Sequence, residues 1–209
     1  MARTVVGLYD NVSQARDALQ ELVDAGFKRD NINFVANAAA EEAEVRPYFD
    51  DDGKYRDNDE LTTSEGAAAG AGIGATVGGL GGLLMGLGLL AVPGVGPALA
   101  AGPIASALVG AGIGAAAGGL SGALVNNGVP EADADYYAEG VRRGGALVSL
   151  TVEDNEADKA QSVMNAHNPV NIEERASSWR ESGWTGYDPD ADPYSVDEIR
   201  AERSRYAAV

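Results

Sequence analysis

The chain has 209 residues, with 32 acidic side chains against 15 basic ones, one histidine and no cysteine, for a formal charge of −17. The lack of cysteine excludes disulfides, thiolate metal sites and a cysteine nucleophile. The acidity excludes a nucleic-acid surface, which needs clustered Lys and Arg. Taken in chain order, Thr4–Asp10 reads as a strand in which Val6 and Leu8 alternate with Val5 and Tyr9. Asn11 is placed to cap a helix carrying Ala15, Leu19, Leu22 and Val23 on one face, which Gly26 ends. Asn31–Asn37 returns as a strand with Ile32 and Phe34 facing one way, so residues 1–37 form a strand–helix–strand half-domain. Residues 38–65 hold ten acids against Arg46, Lys54 and Arg56 and read as a solvated flexible linker.

Residues 66–126 are the most unusual part. No charged residue lies between Glu65 and Glu131, whereas about a quarter of residues in soluble chains are charged. The run divides at Val92-Pro93-Gly94-Val95-Gly96-Pro97, a strong turn signal. The arms Gly66–Ala91 and Pro103–Val125 would be about 39 Å and 34 Å long as helices, enough to span a bilayer core of about 30 Å. The first expectation is therefore a transmembrane helical hairpin in the inner membrane, with both termini cytoplasmic because Arg142 and Arg143 adjoin the second arm. The first ten residues of the run are glycine and alanine apart from Ile73, which is poor in bulky lipid-facing groups. The alternative is thus a cytoplasmic assembly in which the hairpins pack in a protein core.

The glycines carry the sharpest pattern. Gly66, Gly70, Gly74, Gly78, Gly82 and Gly86 are spaced by four, and Gly102, Ser106, Gly110, Gly114, Gly118 and Gly122 repeat the spacing. Gly70–Ala75 recurs identically at Gly110–Ala115, an internal duplication at an offset of 40 residues. Small residues every four positions let helix backbones approach closely. Without that role each glycine costs a helix about 0.5–1 kcal/mol relative to alanine. These twelve positions are the expected helix-packing and oligomerisation residues, a glycine zipper that makes the chain a homo-oligomer. The repeated hexapeptide also fits Gly-x-Gly-x-x-Ala, but neither copy has the preceding strand or the acid about 20 residues later that a dinucleotide site needs.

Residues 127–176 supply a second half-domain: a short helix from Glu131 through Tyr137 and Val141, a strand Ala146–Glu153 with Val148, Leu150 and Val152 on one face, a helix from about Asn155 to Ala166, and a last strand Val170–Glu174. Two strand–helix–strand halves pair as a ferredoxin-like four-stranded sheet with helices on one face, an α+β class interrupted by the hairpin. The tail 177–209 carries Trp179, Trp184, Tyr187 and Tyr194, read as straps onto the sheet, and Ser195 with Glu198 as the capping box of a terminal helix. His167 ends a helix, where the dipole suits it better than a role as general base. Asp188, Asp190 and Asp192 alternate as in a calcium loop, but Pro193 and Ile199 stand where Gly and Glu are required. No catalytic residue, cofactor, metal or small-molecule substrate emerges.

Thr4-Val5-Val6-Gly7-Leu8-Tyr9-Asp10 with the Ala18-Leu19 helix, and Tyr136–Gly145, resemble the bacterial heat-induced or general stress protein domain. The tail Gly183–Pro189 is similar to tails of some of its members. The resemblance covers roughly 140 residues, implies stress-linked expression and brings no established catalytic residues. The expectation is a non-enzymatic, self-associating stress protein of the membrane. The alternative is a soluble particle or filament.

Overall fold

In a computed structural model, residues 2–45, 88–92, 96–101 and 119–206 are described. In chain order they form β1 (Ala2–Tyr9), α1 (Val12–Asp24), a 3-10 turn (Arg29–Asn31), β2 (Ile32–Asn37) and α2 (Ala38–Val45). Then come β3 (Gly88–Val92), β4 (Gly96–Ala101), α3 (Gly119–Asn126), α4 (Glu131–Arg142) and β5 (Ala146–Glu153), followed by α5 (Asp154–Ala166), α6 (Ile172–Glu181) and α7 (Val196–Tyr206). The class is α+β. The strands form one sheet in the order β1-β5-β2-β4-β3, antiparallel at every step. β5 runs between β1 and β2, which therefore point the same way, and pairs with β1 from Ala2↔Glu153 to Tyr9↔Ala146. Among the described residues, no helix is long and apolar enough to cross a membrane.

The alternation read in the strands sorts the two faces of the sheet. Val5, Tyr9, Ile32, Phe34, Val148 and Leu150 pack on one face under α1, α2 and α5. Leu8, Val35 and Leu147 pack on the other against Leu120 and Leu124 of α3 and Val141 of α4. Each fully buried side chain of this size contributes about 1.5–3 kcal/mol. Helices on one face only was thus the wrong expectation. Polar positions of β2 and β5 are buried as well and meet each other: Asn33 Nδ2 donates to Ser149 Oγ at 3.1 Å.

Three further expectations are corrected. Val170–Glu174 is not a strand. Val170 N–H gives β1 a single backbone hydrogen bond, to Leu8 O at 2.7 Å. Asn171 then caps α6, its side chain accepting from Glu174 N–H. Ile172, Ala176 and Trp179 follow a helical spacing, with Ala176 and Trp179 buried, and this period outweighs the short alternation through Val170 and Ile172.

Residues 88–91, expected inside the first helical arm, belong to β3, which pairs with β4 from Gly88↔Ala100 to Val92↔Gly96. Of the expected turn, residues 93–95 lie outside the described residues, and what flanks them is a pair of strands, Val92 ending β3 and Gly96 opening β4. β2 is buried along its whole length, so the backbone groups on its far edge need partners. β4 supplies them from Ala98 to Ala101, with Pro97 just outside that paired stretch. The second arm is helical where it is described, at α3.

Finally, residues 38–45 of the expected linker form α2, with Ala40 and Ala43 in the core. α2 also changes the capping of α1. Asn11 stands at the N-cap but makes no side-chain cap bond. The Glu44 carboxylate accepts from Val12 N–H at 2.5 Å and Ser13 N–H at 3.2 Å instead, a negative charge on the positive end of the helix.

Candidate functional site

Of the expected packing residues, Gly66, Gly70, Gly74, Gly78, Gly82, Gly86, Gly102, Ser106, Gly110, Gly114 and Gly118 lie outside the described residues. Gly122 lies half-buried in α3, beside Ser121, whose hydroxyl donates to Asp135 Oδ1 at 2.6 Å. α3 therefore holds the end of the second arm against the sheet and against α4.

The densest polar constellation lies where α4 meets the tail. α4 has Glu131 and Asp133 in its first turn and Arg142 in its last, matching the helix dipole. It ends at Gly144, whose φ of +97° suits glycine. One turn before that end is Glu139, with a side chain only 1 % exposed. Its carboxylate accepts from Arg142 Nε at 2.8 Å and Nη2 at 2.6 Å, and from Arg143 Nε at 2.6 Å. A buried carboxylate of this kind is tolerated because both oxygens meet guanidinium donors. The Glu139 bond is also the main reason the Arg142 guanidinium holds its proton beyond the usual arginine range.

Arg143 carries the cluster across to the tail. Its guanidinium lies 4.9 Å from the Trp179 ring centre and 5.2 Å from that of Tyr194, a favourable cation–π arrangement on two aromatics. Its Nη1 donates to Glu202 Oε1 of α7 at 3.2 Å, and the same oxygen accepts from Trp179 Nε1 at 2.9 Å. Glu202 is 6 % exposed and ties three helices, α4, α6 and α7, at one carboxylate. Next to this node Ile199 packs on Gly144, where an added Cβ would come within 2.5 Å of Ile199 Cγ1.

Two more arginines complete the surround. Arg175 of α6 makes a bidentate pair with Asp10 at 2.7 and 3.0 Å and lies 3.6 Å from the Tyr206 ring centre. Arg203 of α7 donates to Glu44 Oε1 at 3.2 Å and to Gly144 O at 3.1 Å. Burial pulls the Arg203 guanidinium down from its ordinary value, against the raising effect of Glu44 and Asp10. Leu8, Asp10, Arg143, Arg175, Trp179 and Glu202 are among the residues that enclose a cavity of only about 10 Å³, about the space of one water. The arrangement clamps. It brings the end of β1, α2, α4, α6 and α7 to one node and leaves no room there for an organic ligand.

The remaining candidates sit apart from it. His167 is the C-cap residue of α5, with Nε2 at 2.5 Å from Glu21 Oε2 of α1. Asp188 Oδ1 accepts Asp190 N–H at 2.9 Å, an Asx turn, and among the described residues no three His, Asp or Glu side chains gather as a metal site. Trp184 packs on Trp179 and Tyr136 with ring centres 5.8 and 5.7 Å away, and Tyr187 packs against the α3–α4 side of the sheet. Ser195 and Glu198 exchange the two bonds of a capping box, Ser195 N–H to Glu198 Oε2 at 2.9 Å and Glu198 N–H to Ser195 Oγ at 3.4 Å. The backbone bond from Ser195 is the main cause that holds the Glu198 carboxyl below its usual range.

Sequence reasoning did not single out Glu139, Arg143, Trp179 and Glu202 as a unit. The available signal was the Arg142-Arg143 pair directly before Gly144-Gly145, two adjacent cations at a helix end. Compared with known protein families, with curated proteins and with solved structures, the chain matches none.

Proposed function

We propose that the chain is a non-enzymatic, stress-associated protein that self-associates through its duplicated small-residue arms and displays an acidic α+β domain around them. The observation that carries this reading is a shared symmetry of register. β3 and β4 pair so that partners lie equally far from Gly94, as in Val92↔Gly96 and Gly88↔Ala100. The two small-residue rows obey the same rule: Gly86 and Gly102, Gly82 and Ser106, Gly78 and Gly110, Gly74 and Gly114, Gly70 and Gly118, and Gly66 and Gly122 are equidistant from Gly94. A hairpin centred there brings every small residue level with another, the condition for close backbone packing. The order β1-β5-β2, with Val170 at the outer edge of β1, supports reading the domain as a ferredoxin-like sheet cut short at its fourth strand. The stress association rests on the resemblance of Thr4–Asp10 and Tyr136–Gly145.

The described ends of the second arm favour a protein core over a bilayer. Residues 102–118 run from β4 to α3, and both elements pack on one sheet domain. Seventeen residues reach at most about 56–61 Å, barely the about 60 Å that two crossings of a hydrocarbon core require. The bilayer reading keeps one observation on its side, the 65-residue stretch without charge. Fractionation with a carbonate wash, then sizing without detergent, separates them. A large particle in the soluble fraction is the expected result. Retention in the washed membrane pellet would place the arms in lipid, and a monomer in both fractions would overturn self-association itself.

A further inference from the structure

The sheet has two edges, and among the described residues only one is covered. β1 carries Arg3, and its outer side receives Val170 N–H at Leu8 O. A charged side chain and a covering segment are the usual devices that keep an edge from pairing with another chain. Among the described residues β3 has neither device. Gly88-Leu89-Leu90-Ala91-Val92 contains no charge and no proline, and the nearest charged residues in the chain are Glu65 and Glu131. Among the described residues no strand lies on its outer side. A five-residue apolar edge of this kind is a template for a further strand.

We propose that the occupant of this edge is β3 of a second copy, paired antiparallel so that two five-stranded sheets join into one. The inference rests on the self-association proposed above and names one of its contacts. Charge selects the partner. Each copy carries −17, so two copies repel wherever their acidic surfaces meet, and the uncharged strand is where they touch without opposing like charges. Symmetry selects the geometry. An antiparallel pair of identical strands is related by a two-fold axis and closes after two copies. Aligning all five residues with all five sets Leu90 opposite the partner's Leu90, and Leu89 opposite the partner's Ala91.

The absence of cysteine makes this register directly testable in the full-length chain. Opposed residues in an antiparallel pair have Cα atoms about 4.5–5.5 Å apart, inside the range a disulfide spans. Under mild oxidation, Leu90→Cys should give a covalent dimer within the assembly. Leu89→Cys alone should not, because it lies diagonally from its own copy at about 7–8 Å. A mixture of Leu89→Cys and Ala91→Cys chains should cross-link to each other, which covers the case in which Leu90→Cys fails to fold. Leu90→Lys, a substitution edge strands tolerate, should weaken association on the order of fivefold with an unchanged circular dichroism spectrum. If the assembly is intact and neither Leu90→Cys nor the mixture cross-links, the β3 contact is wrong while self-association stands. If Leu89→Cys cross-links to itself as readily as Leu90→Cys, the register is wrong. A wild-type chain that stays monomeric at every concentration overturns both readings.

Discussion

Removing the Glu202 carboxylate should release the tail while leaving the sheet folded. In Glu202→Ala the Trp179 indole N–H loses its acceptor at 2.9 Å, and a buried donor left unpaired costs about 1–3 kcal/mol. Arg143 loses one charge-assisted bond but keeps Glu139, which adds about 1–2 kcal/mol. Arg205, whose side chain is 61 % exposed, adds almost nothing. The expected loss is about 3 kcal/mol, or about 6–12 °C in Tm for a chain of this size. Glu202→Gln keeps an acceptor for Trp179 and loses only the charge, so it should cost about half as much. Chemical denaturation measures the two losses, and amide exchange locates them. Protection should fall across residues 196–206 and persist in β5. A loss below about 1 kcal/mol for Glu202→Ala, or equal losses for Ala and Gln, would refute the assignment of Glu202 as the carboxylate that holds the tail. Simultaneous loss of protection in α7 and β5 would refute the view that Glu202 secures the tail and not the sheet.

Gly144→Ala should destabilise by at least about 2 kcal/mol more than Gly183→Ala in thermal melts, the cost of overpacking a filled site. Both glycines have φ near +97°, but only at Gly144 does an added Cβ meet Ile199, and nothing lies within 4 Å at Gly183. Burial pushes the phenols of Tyr137 and Tyr187 up to about 12 from an ordinary 10.0. The folded state thus holds these protons more tightly than the unfolded one, so stability should fall as pH rises from about 10 to about 12. Absorbance at the phenolate band should show delayed ionisation that disappears in denaturant.

Much of the sheet was legible because its strands announce themselves locally. Ala146–Glu153 has the bounds read from its alternation, and Gly26, at φ +96°, ends α1's turn where expected. Errors arose where a residue's partner lies far along the chain. Ser149 and Asn33 drew no notice in the sequence, yet a pairing across 116 residues buries them together. Leu89, Leu90 and Val92 sit in a run long enough for a helix, but they pair with β4, which itself lies on the open edge of β2. The clamp was illegible for the same reason. Arg143 and Glu202 each read as an ordinary helix charge, and a sequence separation of 59 hides the contact.

The threading of β5 between β1 and β2 sets an order on synthesis. The first half-domain is complete in sequence at Asn37, yet its two strands have no common neighbour until Glu153 has been made. At about 5–20 residues per second that interval is roughly 6–23 s, and it includes the whole uncharged stretch from Gly66 to Pro130. The nascent chain therefore presents unpaired strands and its least hydrated segment together, before the centre of the sheet exists. A ribosome pause placed before residue 146 would lengthen that exposure, and one placed after residue 153 would not.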